Sequence, residues 1–516
     1  MKAFFPLLFI CLLGQAALAQ KTPPKKAAPV KTVAVPDSMK IDSVQVEYVR
    51  TEPNADLWVL HGDRLNVRVK AQPGLKVSLW NQHPLQELPA AQNKGVAGLY
   101  VGSYIVQAAD KLKDQFLEVL VDDTTTVFTA ATHYSTTKVT ILNPAQPIYG
   151  LTKTNTAYMN YGLGEDRLGG AKMGFLDSLV RVQVTGKMGR DYRIKLSNTL
   201  NAYIPVQQVQ LEGPSLYTGE SLTSSWSVTG DDANGKYDYV RVAVGQRLPY
   251  TSYMEVSPSR IVVDIYGAVS NSNWITQHRT LKEVTNVQYQ QISSDVFRVT
   301  IDLCHPQAWG YSVGYQGNSL VIKVKRQPEK LKLRHLTIAV DAGHGGTNNG
   351  ATGKTGIPEK EITLKIAQQL KKELEKKGAK VIMTREADVS VDNSARVQTL
   401  RQAQPDLLVS IHVNSAGRPE VKGTSTYYRH LAFRPLSQAL YKEVLKLDLK
   451  EFGNIGGFNF ALNAPTEFPN ALVETAFASN PEDEQKLINP DFQKDMAEQI
   501  RKGLELFLKQ TTKRKK

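Results

Sequence analysis

Four residues, widely separated in a chain of 516, have the types that hydrolytic metal chemistry uses. His344 stands in VDAGHGG, just past the apolar run TIAVD, and His412 stands near the end of another, DLLVSIHV. Glu359 follows Pro358 in PEKE, and Glu474 sits inside NALVETAF. Taken singly, a histidine at a strand end is an ordinary core residue, and a glutamate in a first helical turn is favoured by the helix dipole. An acidic side chain in a run as apolar as NALVETAF, however, is costly to bury unless it is paired or used. Two His and one carboxylate leave a zinc ion with an open fourth position for water, the pattern of a catalytic rather than a structural site. A second carboxylate nearby supplies a proton acceptor.

The loop that carries His344 also nearly matches a phosphate-binding pattern. NNGATGKT has Gly353, Lys354 and Thr355 in the places of G-x-x-x-x-G-K-[ST], with Asn348 where the first glycine belongs. A phosphate loop runs directly into its helix, whereas Gly356-Ile357-Pro358 intervenes here, so nucleotide binding is disfavoured. Cys304-His305 invites a thiol-hydrolase reading. Cys304 ends an alternating strand rather than opening a helix, which predicts a small buried residue.

The elements that must position these residues change character along the chain. Residues 1–19, MKAFFPLLFICLLGQAALA, read as a signal peptide, and 20–40 as a Pro/Lys-rich tether. Short alternating segments over 41–145 predict a β-sandwich-like module, with further all-β segments over 146–212 and 218–328. From 331 to 512 hydrophobic strands alternate with amphipathic helices, which predicts an α/β domain with a mostly parallel sheet flanked by helices. GFNFAL, residues 457–462, is read as one of its strands. A basic tail occupies 513–516. The fold class is thus multidomain, with N-terminal all-β modules and a C-terminal α/β domain whose function should gather at the carboxyl ends of the strands.

Within that last domain VDAGHGG, PEKEITLKIA, TREADVSV, SIHVNS, GTSTYY and NALVETAFASNPED occur in order and resemble the catalytic domain of the zinc-dependent N-acetylmuramoyl-L-alanine amidases of bacterial cell walls. The resemblance covers about 337 to 510. It implies zinc ligands at His344, Glu359 and His412 and a catalytic glutamate at Glu474. Ala342 stands where the family often has Pro, and Ala476 where Gly usually follows the glutamate; both are small. The implied reaction is hydrolysis of the amide between N-acetylmuramic acid and L-alanine of the peptidoglycan stem peptide, with Glu474 moving the proton. Asp341 is expected to orient His344, Asn414 to line the cleft, and Arg385 and Arg396 either to steady an acidic substrate or to pair with Asp388 and other surface carboxylates. His430 is a candidate rim residue.

The β-rich segments carry looser resemblances. VRVQVTG, YRIKL and AYI, in 146–212, resemble bacterial SH3-like barrels, and RIVVDIYG, RVTIDL and LVIKV, in 218–328, resemble AMIN modules. The first implies a wall-binding groove, with a plain spacer as the alternative, and the second a module that localises an envelope enzyme; envelope or division proteins are the further partners expected of such modules. The formal net charge of +14 is spread along the chain, without the dense basic stripe interleaved with aromatics that nucleic acid requires. No stretch after the signal is long and apolar enough to span a membrane. The signal peptide implies export, with the periplasm expected and full secretion as the alternative. Two rival readings stand beside the amidase: a non-catalytic peptidoglycan-binding protein, and a zinc peptidase that cuts within the stem.

Overall fold

The computed structural model describes residues 45–122, 131–164, 170–214, 221–230 and 235–514; the expected signal peptide, the tether and residues 515–516 of the basic tail lie outside the described residues. Among the described residues no helix is long and apolar enough to cross a membrane.

Among the described residues from Val46 to Pro214 the regular elements are strands and two short 3-10 turns, in keeping with the alternating pattern. Its hydrogen bonding does not break near residue 145. The short strand Leu57–Val59 pairs with Ala131–Ile141 on one side and with Arg181–Met188 on the other, so a single ladder runs from the first β-rich segment into the second. Ser221 to Lys325 folds into two sheets. One contains Ser221–Gly230, Tyr237–Val244, Ser319–Lys325 and Tyr311–Gln316, and the other Tyr250–Val256, Ser259–Tyr266, Val296–Leu303 and Val284–Ser293. Inward-facing Val240, Val242, Val263, Phe297, Val299 and Ile322 from both sheets form their common core, the two-layer arrangement that buries one face of each.

Six strands build the C-terminal sheet: β1 (Thr337–Ala342), β2 (Lys380–Met383), β3 (Leu407–Asn414), β4 (Thr424–Tyr428), β5 (Glu451–Gly456) and β6 (Asn470–Phe477). Their spatial order is β2-β1-β3-β6-β4-β5, with every neighbouring pair parallel except β4 and β6. The helices are α1 (Glu359–Lys376), α2 (Asn393–Ala403), α3 (Arg434–Val444), α4 (Pro481–Ile488) and α5 (Pro490–Arg514). Ile362, Ile366, Leu370 and Leu374 form the buried stripe of α1, spaced three and four residues apart. They share a core with Ile338, Val340, Leu407, Val409 and Ile411 of the sheet and with Leu440 and Leu504 of α3 and α5. Leu400 of α2 packs on the opposite face, against Ala339 and Leu408.

Three local expectations need correction. GFNFAL is not a strand. The edge strand ends at Gly456, and residues 457–460 leave the sheet before a 3-10 turn, Ala461–Asn463, because Phe458 and Phe460 turn their rings onto Tyr427 instead of extending a ladder. The basic tail is not separate from the domain at its start, since α5 runs through Lys513 to Arg514; basic residues are good helix formers and suit a helix C-terminus. Cys304 is exposed rather than buried. Its strand ends at Leu303, and the Cys304 amide donates to the Glu283 carbonyl at 2.7 Å as the chain bends outward.

Candidate functional site

Strand alternation selects the side chains that meet. On β1, Ile338 and Val340 face the α1 layer, which turns Asp341 to the other face. The same parity on β3 buries Leu407, Val409 and Ile411 under α1 and leaves Ser410 and His412 opposite, and on β6 it leaves Leu472 and Glu474. Because β3 and β6 are parallel neighbours with His412 in register with Glu474, the two residues lie side by side at the carboxyl end of the sheet. They line a cleft of about 870 Å³ together with Asp341, His344, Glu359 and Asn414.

His344 arrives from the glycine loop with a left-handed backbone, φ +60, uncommon for a residue with a side chain. The loop has little room for more atoms. A Cβ on Gly343 would stand 2.5 Å from the His412 ring, and one on Gly350 2.7 Å from the His344 ring. Glu359, at the first position of α1, is 3% exposed and sits between the two imidazoles. Its Oε1 accepts from His412 Nδ1 at 2.9 Å and from the Val413 amide at 2.9 Å. Its Oε2 accepts from the Ala351 amide at 2.7 Å and lies 3.2 Å from His344 Nε2. One ligand atom from each of His344, Glu359 and His412 falls within 4.8 Å of the others.

The donor set fits a metal ion in detail. Asn348 Oδ1, which also accepts from the Gly350 amide at 3.1 Å, lies 2.9 Å from His344 Nδ1 and so fixes the proton there. His344 Nε2, the nitrogen turned toward Glu359, is therefore the one that would face an ion. Burial opposes charge on His412, but the hydrogen bond and field of Glu359, with Glu474 and Asp341 behind it, hold the imidazole up to about 9. Burial likewise opposes charge on Glu359, and the two imidazoles overcome it and hold the carboxyl far below the usual range. Metal-free, the cluster is a carboxylate clasped by histidines.

Asp341 does not touch the His344 ring. It is fully buried and accepts from Ser410 Oγ at 2.5 Å, Thr384 Oγ1 at 2.6 Å and Arg396 Nη1 at 2.7 Å. Burial works against its charge, and Arg396, His412 and the hydroxyls hold it ionised below the usual range. Arg396 also donates to the carbonyls of Ala342 and His344, so any influence of Asp341 on His344 passes through that guanidinium. Arg385 donates to the carbonyls of Ala342 and Gly343 at 2.9 Å and of Lys360 at 2.7 Å. Both arginines are buried and fasten the loop backbone to α1 and α2, and Asp388 pairs with Lys360. Asn414 caps its own turn by accepting from the Ser415 amide at 2.8 Å.

The stretch that resembled a phosphate loop encloses a carboxylate of the chain itself. Glu484 Oε1 accepts from the Thr355 amide at 2.8 Å and its hydroxyl at 2.7 Å, and a Cβ on Gly353 would lie 2.6 Å from Glu484 Cδ. His430 is outside the cluster, with Nε2 donating to the Ala464 carbonyl at 3.0 Å. Burial pushes its imidazole down to about 4, against the pull of that carbonyl. Sequence reasoning missed Asn348, whose signal was its place four residues after His344. It also missed the aromatic wall of Tyr427, Phe458 and Phe460, where the Phe460 ring lies parallel to that of His412 at 6.5 Å.

Comparison with known proteins places these features in a family. Residues 338–506 match the family model for N-acetylmuramoyl-L-alanine amidase, and residues 229–324 match the AMIN domain. The chain is 29% identical over 221 residues to N-acetylmuramoyl-L-alanine amidase AmiC of Neisseria meningitidis, covering 34% of this chain and 53% of that protein. It is 33% identical over 203 residues to the protein named "Probable cell wall amidase LytH" of Staphylococcus saprophyticus, covering 38% of this chain and 67% of that one. Among solved structures, N-acetylmuramoyl-L-alanine amidase AmiC2 of Nostoc punctiforme is 32% identical, covering 34% of this chain and 97% of that one, with a TM-score of 0.33. The chain thus spans about half the length of the AmiC proteins it matches. Through its C-terminal α/β domain, the chain belongs to the N-acetylmuramoyl-L-alanine amidase family.

Proposed function

We propose that this protein is an envelope-located, zinc-dependent N-acetylmuramoyl-L-alanine amidase that releases stem peptides from peptidoglycan. The observation that carries the reading is the approach of His344, Glu359 and His412 within 4.8 Å at the mouth of a cleft, with Glu474 in register beside His412. His344, Glu359 and His412 would hold the ion, since two imidazoles and one carboxylate are the donor set of catalytic zinc sites. When bound, zinc supplies a Lewis acid that polarises the scissile carbonyl and brings the pKa of water toward ~7.

The chain's own residues do the rest. Glu474 accepts the proton that the attacking water loses and returns it to the nitrogen of L-alanine as the amide C–N bond breaks. The products are a stem peptide with a free amine and a lactyl carboxylate on the glycan. Asn348 holds the tautomer of His344, and Arg385 and Arg396 hold the loop that carries it. Phe460, stacked beside His412, keeps bulk water from that side of the cleft. In this reading the AMIN match supports a periplasmic location, and the segment 146–212 serves as an SH3-like module that engages the wall.

The test is mass spectrometry of purified peptidoglycan digested by the protein with zinc and with a chelator. The proposal expects zinc-dependent release of intact stem peptides bearing a free L-alanine amine. Cleavage inside the stem would make the protein a peptidase, and wall binding without cleavage would make it a binding protein.

A further inference from the structure

The wall of the cleft opposite the glycine loop is built by residues 457–468, which run between β5 and β6. Phe458, Phe460, Ala461 and Leu462 line the cleft. The two phenylalanine rings lie 4.6 Å apart, and each meets the Tyr427 ring edge-on at 5.2 Å. Apart from one 3-10 turn the segment has no regular hydrogen bonding of its own. Its position therefore depends on what it touches.

Two of those contacts come from outside the catalytic domain. Asn459, between the two phenylalanines, donates from Nδ2 to the Gly170 carbonyl at 3.0 Å, and its Oδ1 accepts from Arg429 Nη1 at 3.2 Å. The Lys172 amide approaches the same oxygen at 3.4 Å, and Arg429 donates to the Lys172 carbonyl. Lys172 opens the strand Lys172–Leu176 of the second β-rich segment, and Gly170 lies two residues before it. At the other end of the wall, Thr466 exchanges two hydrogen bonds with Tyr311. The Tyr311 amide donates to the Thr466 carbonyl at 2.8 Å, and Thr466 Oγ1 donates to the Tyr311 carbonyl at 2.8 Å. Tyr311 belongs to the stretch that matches the AMIN domain. Next to it Gly310, φ +116, lies so close that a Cβ would stand 2.5 Å from the Glu467 carbonyl carbon.

We infer that the β-modules form part of the substrate cleft by clamping its aromatic wall at two points, and that Asn459 and Thr466 are positioning residues for substrate binding. The inference rests on the amidase reading for its kinetic consequence but not for the clamp. A wall fixed at both ends meets its ligand already ordered, and ordering it on binding would otherwise weaken affinity. The same contacts link whatever the modules bind to the shape of the cleft.

The experiment compares the full chain with Asn459→Ala and with the nearly isosteric Thr466→Val. Backbone hydrogen exchange of residues 457–464 is measured by mass spectrometry, alongside kcat and KM on a soluble muramyl-peptide fragment. Faster exchange in this segment, with KM raised about fivefold per lost hydrogen bond and kcat much less affected, is the expected result. Thr466→Val covers the case in which Asn459→Ala does not fold. Exchange matching wild type in the folded variants overturns the clamp, and faster exchange with unchanged KM overturns its role in binding. Should wild type cleave nothing, the amidase reading fails while exchange still decides the clamp.

Discussion

Glu474 and His412 neighbour each other across two strands, yet they face opposite tests. Glu474 lies beside the proposed metal site without being among its three clustered residues. Glu474→Gln keeps shape and hydrogen bonding but cannot take a proton, so zinc content should match wild type while turnover falls by about 10²–10⁴. Metal analysis and stem-peptide release measured on the same sample check both halves. His412 carries the pH dependence. Its imidazole in the metal-free protein keeps its proton up to about 9, whereas an ion takes only the deprotonated ring. Protons therefore compete with zinc, and apparent affinity should rise with pH by about tenfold per unit until the ring titrates. Competition with a chelator of known affinity at several pH values would show the slope, and a pH-independent affinity would remove His412 from the site.

At the scale of elements, a buried ion pair holds the glycine loop to α2. Arg396→Leu leaves the Asp341 carboxylate buried without its partner and frees the carbonyls of Ala342 and His344. Removing one member of such a pair costs about 3–5 kcal/mol, so thermal denaturation should show a large loss of stability, with weaker zinc binding in whatever remains folded. His430 gives a second, pH-dependent handle. Its folded pKa, about 4, lies below the ordinary value of 6.5, so the unfolded chain binds the extra proton between these values. Stability from this group is complete above about 6.5 and is lost as pH falls toward 4. His430→Asn should flatten that part of the stability profile, measured by denaturant unfolding at pH 7 and pH 4.5. The strands and helices themselves were legible because alternation and the spacing of Ile362, Ile366, Leu370 and Leu374 are local properties. The roles of Arg385 and Arg396 were not, because nothing near them in the chain shows which carbonyls they reach.

For the whole molecule, the AMIN-matching segment is not a free appendage. Trp309, 1% exposed, belongs to the core of the C-terminal domain and stacks on Phe507 of α5 with ring centroids 5.8 Å apart. Gln307 donates to the Ala432 carbonyl at 2.8 Å, and Tyr237 to Gln404 at 2.8 Å. Trp309→Ala should cost about 3–5 kcal/mol and separate the unfolding of the β-modules from that of the α/β domain, giving two calorimetric transitions where wild type has fewer. Cys304, expected inside, is instead a surface group on this segment, outside the core that joins the two domains.

What the sequence by itself determined is the chemistry on offer and its parity. The types at 344, 359, 412 and 474, the helix opening at Glu359 and the period of two along each strand all follow from neighbours in the chain. The tertiary structure decided which of these meet. Only the order β1-β3-β6 sets His412 beside Glu474, only packing against α1 and α2 turns two arginines into staples of the loop, and only the docking of the modules fixes the wall. Contacts between distant segments leave no periodic trace in either partner, since each side chain is compatible by itself with several surroundings, and the choice among them belongs to the packed whole.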